Sequence, residues 1–403
     1  MGVWAYKILR RVSSKHKGDL DIGKCTKRPQ IPSHVKMELW SKAGGRCEFL
    51  GCNKPLWRDG LTFDQLNESN IAHIIAYSPD GPRGDEVLSE ASATDISNLM
   101  LTCPVHHKLI DTKKYVDKYT LECLQEMKKS HEDRIEAGTS ILPENKTTVI
   151  KYSAKIGPRA INLNEKAIIS VLFPKAYPDG DCIDLGLKNN AWDDSDPDYW
   201  TQEQKNLEML FYKKIEPNID NGTIKHFSVF GFAPQPLLIL LGNLISDKCP
   251  ANIFQLNREN SNWVWRKDND DINYKIIEPT AISESNVPVL NISLSGSIAE
   301  DRIKKILPNS DIWTFTLDKP NTDFLTASNQ LYIFKYEMRS LLDKIKQNYP
   351  EGTYLNVFPA MPVSTCIEFG RLRLPKADMP MNIYNQMNTD KGFSFALKIE
   401  GEI

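Results

Sequence analysis

The chain has 403 residues, 41% of them hydrophobic and 25% charged, and its fifty Lys and Arg stand against fifty-two Asp and Glu. These globular values exclude a largely disordered protein and suit two or three domains. The near-neutral balance announces no nucleic-acid partner, yet excludes none, because phosphate binding needs only a local basic surface. The longest apolar run, at 236–241, is far short of the roughly 20 residues of a membrane helix. The N-terminal MGVWAYKILRRVSSK has no apolar core followed by a small-residue cleavage site. A cytoplasmic protein with no membrane partner is therefore predicted.

In chain order, residues 1–32 read as a basic N-terminal arm, with nine Lys or Arg against Asp19 and Asp21 in the first 36 residues. Such an arm is a solvated tail or a phosphate contact. Residues 33–137 form a compact Cys/His-rich unit. It opens with a helix at 34–43 and closes with a longer one, in which Leu121, Leu124, Met127, His131 and Ile135 recur at helical spacing behind Thr120 as cap. The Gly/Pro/Thr/Asn character of 138–149 predicts a linker.

Residues 150–403 alternate between α and β patterns. Strand-like runs occur at 167–173, 227–232, 252–256, 287–294, 312–317, 354–358 and 393–399, and the clearest helical pattern spans 329–347. The expected architecture is a layered sheet with flanking helices. Pro234 precedes Gly242 by eight residues, as Pro362 precedes Gly370, and both pairs are offset by 128 (362 − 234 and 370 − 242). Each Pro follows a strand-like run and opens a helix-like one, so Pro in a first helical turn and Gly at a helix exit account for the pattern as ordinary punctuation. The other reading is two copies of one α/β unit, at about 150–285 and 286–403.

Six of the seven histidines lie in the first third of the chain, beside Cys47, Cys52 and Cys103. Cys47-x4-Cys52 followed some fifty residues later by Cys103-x2-His106 is the two-pair layout of a structural, tetrahedral zinc site. His107 follows directly. On a helix, successive side chains diverge by roughly 100°, so His106 and His107 serve different sites.

Around these residues stand AHI (72–74), a Gly-rich loop, D-x-x-N (95–98) and LTCPVHHKLID (101–111). This order resembles an HNH endonuclease, whose fold is a β-hairpin and a helix clasped around one divalent metal. The resemblance implies His73 as the general base, Asn98 as the residue that holds the loop and the base in position, and His107 as a ligand of catalytic magnesium or manganese. Double-stranded DNA is the implied substrate. Ala72 occupies the position where many such enzymes carry a second metal ligand; Asp111 and Asp95 are the candidates to replace it, with helix-surface and loop-capping carboxylates as the other reading. Lys108, Lys113, Lys114 and Arg83 are candidate phosphate contacts.

The C-terminal part resembles the SAVED domain, two fused CARF-like units that sense cyclic oligonucleotides. The segments FQLNRENSNWVW (254–265), VPVLNISLSGSI (287–298) and NVFPAMPVSTCIEFGRL (356–372) carry that resemblance. HNH joined to SAVED implies an effector of bacterial CBASS anti-phage defence, in which a cyclic dinucleotide or related cyclic oligonucleotide drives homo-oligomerisation and DNA degradation. In open α/β sheets ligands collect beyond the carboxyl ends of strands, so Ser295 and Ser297, and Ser364 and Thr365, are placed at helix N-termini facing a phosphate. Ser297 with Glu300 also reads as a capping box. Gln255, Arg258, Trp263 and Trp265 are candidates to bond or stack on bases, although alternate tryptophans in a strand also serve packing. The full expectation is an α+β N-terminal ββα-metal domain with structural zinc, followed by an α/β domain of two CARF/Rossmann-like units. The other readings are a restriction-type HNH nuclease with a C-terminal DNA-reading domain, and a non-catalytic, zinc-stabilised nucleic-acid-binding module.

Overall fold

The computed structural model describes residues 30–157, 163–188, 190–257, 262–283, 285–387 and 392–400. The basic arm therefore lies outside the described residues up to position 29, as does Arg258. The chain divides after Ile141 into two compact units.

In the first unit, helix α1 (Ser33–Lys42) follows Pro32, which suits a helix entry. Two short apolar strands, β1 (Asn70–His73) and β2 (Leu99–Thr102), pair antiparallel with Ala72 opposite Met100 and His73 opposite Leu99. The chain then turns directly into α2 (Pro104–Asp111), with Pro104 in its first turn, where a missing N–H costs nothing. Helix α3 (Leu121–Thr139) is capped by Thr120, whose hydroxyl accepts from Cys123 N at 3.3 Å.

Residues 138–149 are not a featureless linker. Helix α3 runs through Thr139, a 3-10 turn covers Pro143–Asn145, and strand β3 (Lys146–Ser153) has already begun. The β-branched run Thr147, Thr148, Val149, Ile150 favours that strand over a loop.

The second unit holds two largely parallel sheets. One has the order β4-β3-β6-β7, with β5 also on β3; its further strands are β4 (Tyr177–Pro178), β5 (Ile183–Asp184), β6 (Phe227–Phe232) and β7 (Ala251–Ile253). The other has the order β13-β12-β11-β9-β10-β8, built from β8 (Lys275–Ile277), β9 (Val287–Ser293), β10 (Ser310–Thr316), β11 (Leu355–Ala360), β12 (Met381–Gln386) and β13 (Phe393–Ile399). Only β8 and β13, at its edges, run antiparallel to their neighbours.

The run 167–173 is not a strand. Asn164 accepts from the N–H groups of Lys166 and Ala167 and so starts helix α4 (Glu165–Ser170). A short apolar run carries no periodicity that separates strand from buried helix, and the cap decides it. Further helices are α5 (Pro197–Lys214), capped by Asp196; α6 (Gln235–Ile245); α7 (Ser328–Lys346); and α8 (Val363–Leu372).

The offset of 128 extends beyond the Pro–Gly pairs. Strand β6 maps onto β11 at both ends (227 to 355, 232 to 360), and the first residue of α6 maps onto that of α8 (235 to 363). The parallel order β3-β6-β7 is repeated as β9-β11-β12. Helices α6 and α8, buried along most of their length, pack against each other. Gly242 and Gly370 are not helix exits: both lie within these helices, at the point where their backbones meet.

Candidate functional site

The Cys/His cluster comes together from two tight turns. After α1, Gly44 and Gly45 adopt left-handed backbone (φ +59° and +63°), and the turn delivers Cys47, whose N–H bonds Lys54 O at 3.0 Å. A second turn, closed by Cys52 N donating to Phe49 O at 2.9 Å, returns Cys52. Cys103 caps α2 and His106 sits in its first turn, with its ring stacked on Phe49 at 4.1 Å. His106 Nδ1 lies 3.2 Å from Cys103 Sγ and 3.6 Å from Cys47 Sγ, and the ligand atoms of all four residues fall within 4.8 Å of one another. Tetrahedral Zn–S bonds of about 2.3 Å imply ligand separations of just under 4 Å, so the four are compatible with a zinc site. Burial pushes the Cys47 thiol up to about 12, against N–H donation from Cys103 and Phe49. Burial also lowers the His106 pKa and favours the neutral ring that a metal needs.

His107 points elsewhere, as adjacent helix positions require. Its Nδ1 lies 3.4 Å from Asp111 Oδ2, one turn further along α2. Asp95 serves as a cap: its Oδ1 accepts from Ser97 N and Oγ at the start of the short helix Ile96–Asn98. Ala72 is fully buried and packs with Ile74, Met100 and Ile110, so it marks an apolar position.

His73 ends β1 and is 7% exposed. Its Nε2 lies 2.9 Å from Ala93 O. A carbonyl only accepts, so Nε2 carries the proton and the ring's basic lone pair is on Nδ1. Asn98 is fully buried, immediately before β2. Its Oδ1 accepts from Ile75 N at 2.7 Å, and its Nδ2 donates to Ile75 O and Ser92 O at 3.0 and 3.2 Å. Asn98 thus holds the segment that leaves His73. Lys108, Lys113 and Lys114 are exposed. Arg83 is not a surface phosphate contact: its guanidinium donates inward, to the carbonyls of Ile74, Ile110 and Tyr119.

In the second unit, Gln255, Ser295, Ser364 and Thr365 gather at the carboxyl ends of β7, β9 and β11. Gln255 Oε1 accepts from Ser364 Oγ at 2.7 Å and from Ser364 N at 3.2 Å, while Ser295 N donates to Ala360 O at 2.7 Å. Ser364 and Thr365 are fully buried, and the Thr365 hydroxyl turns back to Pro362 O. Ser364 joins the two halves of the unit through Gln255, and neither side chain faces an open surface. Trp263 is a packing residue, with its ring edge-on to Phe230 at 5.1 Å inside an apolar cluster; Trp265 is half-buried. Ser297 is exposed and forms no capping box. The helix Glu300–Lys304 starts behind Ala299 without a side-chain cap, because Ser293 Oγ takes the Ile298 N–H and holds the intervening turn.

Gln235 escaped the sequence reading. Its Oε1 accepts from Met361 N at 3.1 Å, across the two halves. The 128-residue offset was the signal for it, since Gln235 and Val363 are equivalent positions.

Residues 207–399 match the family model described as the SMODS-associated and fused to various effectors sensor domain, SAVED. The C-terminal unit is SAVED-like. The SAVED match begins inside α5, whereas the architectural repeat reaches back to β3. Among solved structures, the Acinetobacter baumannii Cap4 SAVED/CARF-domain containing receptor with the cyclic trinucleotide 2'3'3'-cAAA is similar over 78% of this chain and 67% of its own, at 13% identity and a TM-score of 0.43. The Moraxella osloensis Cap4 SAVED/CARF-domain containing receptor is similar over 79% and 70%, at 10% identity and a TM-score of 0.39. At these scores the two likenesses carry no weight of their own. No curated protein matches the chain. Among the described residues, no helix is long and apolar enough to cross a membrane.

Proposed function

We propose that this chain is a metal-dependent HNH endonuclease that degrades double-stranded DNA in bacterial anti-phage defence, switched on when a cyclic oligonucleotide binds its SAVED region. The sensor half rests on the SAVED match over 207–399. The observation that carries the nuclease half is the His73–Ala93 bond, which sets the imidazole tautomer at the end of a hairpin that Asn98 pins and that leads straight into the helix bearing His107. With Nε2–H committed to Ala93 O, Nδ1 takes the proton from the attacking water. Bonded to Ile75, Asn98 keeps the strand end in place while His73 does so.

His107 and Asp111, close together on one face of α2, would hold a magnesium or manganese ion. Two protein donors suit magnesium, which keeps several waters and takes its remaining contacts from substrate phosphate. Such an ion supplies neutralising charge at the scissile phosphate and the leaving oxygen. Cys47, Cys52, Cys103 and His106 would hold zinc as a structural clamp between the first turns and α2. One such site cuts one strand, so duplex cleavage follows from ligand-driven homo-oligomerisation that brings two sites together.

The test is plasmid cleavage with magnesium, run alone and against a panel of cyclic di- and trinucleotides. Cleavage only with a cyclic nucleotide is the expected result. Cleavage of particular DNA without any nucleotide would replace this reading with a restriction-type nuclease. Magnesium-independent DNA binding without cleavage across the panel would replace it with a zinc-stabilised binding module.

A further inference from the structure

We propose that Arg83 is a positioning residue that clamps the strand end carrying His73 to the helix end carrying His107 and Asp111; this rests on the nuclease reading of those three residues. Arg83 lies in the loop after β1. Two glycines shape that loop: a Cβ at Gly84 would lie 2.1 Å from Pro79 O, and one at Gly81 would lie 2.5 Å from Ala76 Cβ. Gly81 N donates to Ser78 O and Gly84 N to Gly81 O, each at 3.0 Å, so the loop is wound on itself. Arg83 itself adopts left-handed backbone (φ +56°), an unfavourable conformation for a long side chain. That conformation persists where surrounding contacts over-determine it.

The contacts here are those of the side chain. Arg83 Nε donates to Ile74 O at 2.6 Å, and Nη1 donates to Ile110 O at 2.9 Å and to Tyr119 O at 3.3 Å. Ile74 directly follows His73. Ile110 directly precedes Asp111 in the last turn of α2, where helix carbonyls lack intrahelical donors and the helix dipole favours a cation. One planar guanidinium therefore touches both segments that present the candidate catalytic groups. A lysine ammonium on its flexible stem does not reproduce that rigid fork.

The experiment uses the full chain with 15N-labelled histidine, comparing Arg83→Lys and Arg83→Gln with the parent by imidazole NMR, zinc content and DNA cleavage. His73 and His107 signals are expected to move in both variants. His131, bonded to Ala43 O on α3, and His226, in the other unit, are expected to stay. Zinc content should equal that of the parent. Under conditions where the parent cuts plasmid, kcat should fall about 10–100-fold with KM for DNA within about twofold, the signature of misplacement rather than lost binding. Unmoved His73 and His107 signals overturn the clamp, whatever the cleavage result. Moved signals with kcat within about twofold of the parent overturn its role in positioning. A raised KM with unchanged kcat makes Arg83 a DNA contact instead, and loss of zinc together with general signal collapse in both variants makes it a folding residue only. A parent that never cuts DNA sinks the nuclease reading, while the NMR comparison still decides the clamp.

Discussion

Gly242 packs against the carbonyl of Ile367 so closely that a Cβ on it would lie 1.9 Å from that oxygen. The reciprocal contact is present too: a Cβ on Gly370 would lie 2.0 Å from Ile239 O. Since 239 + 128 = 367 and 242 + 128 = 370, these are one contact seen from each end of a pseudo-twofold crossing of α6 and α8. Gly242→Ala and Gly370→Ala should each force the two helices apart and cost about 1–3 kcal/mol or more. Thermal unfolding should register both as similar losses. A melting temperature unchanged in either variant would show that the helices have room that the structure denies.

The Cys/His cluster makes a separate prediction for the first unit. Cys103→Ser should lower bound zinc by one equivalent per chain and destabilise residues 33–137, because it removes one of the four clustered ligand atoms that would tie the Cys47 and Cys52 turns to α2. Metal content with a melting profile of the full chain checks both. A variant that keeps its zinc and its melting profile would sink the structural role.

His73 and Asn98 should separate chemistry from architecture. His73→Ala is expected to lower DNA cleavage about 10²–10⁴-fold while cyclic-nucleotide binding stays as in the parent; cutting within about threefold of the parent would remove the base assignment. Asn98→Ala should lose stability as well, by about 2–4 kcal/mol, because it strands the buried N–H and C=O of Ile75. Denaturant titration of the two variants distinguishes them.

A buried carboxyl predicts a pH dependence in the second unit. Glu203, on α5, is fully buried; burial raises its pKa, opposed by the side chain of Asn190, which donates to its Oε1 at 2.8 Å. A carboxyl whose folded pKa is raised contributes fully below its unfolded pKa of about 4.3, and that contribution is lost as pH rises through the folded value. Glu203→Gln should therefore match the parent near pH 4 and exceed it in melting temperature by a growing margin toward neutrality. A margin that stays constant across that range would rule out ionisation of Glu203 as the cause.

Local spacing alone determined a good part of this protein. Cys47-x4-Cys52 and Cys103-x2-His106 identify the four clustered residues, the step of one helical position separates His106 from His107, and the offset of 128 marks the duplicated strand–helix unit. Each is a pattern along the chain, carried by turn geometry or by the α-helical and strand periods. Tertiary structure decided what depends on partners distant in sequence. Gly242 and Gly370 read as helix exits until α6 and α8 are seen to cross, 125 residues of chain separating Gly242 from Ile367 (367 − 242). Trp263, Ser364 and Thr365 are candidate ligand contacts along the chain, yet Trp263 is buried in an apolar cluster beside Phe230, and Ser364 and Thr365 are committed to internal hydrogen bonds. Arg83 looks like one more surface cation, and only the meeting of β1, α2 and the Tyr119 segment gives its guanidinium three carbonyls. Burial and backbone approach are properties of assembled elements, and no short stretch of sequence contains them.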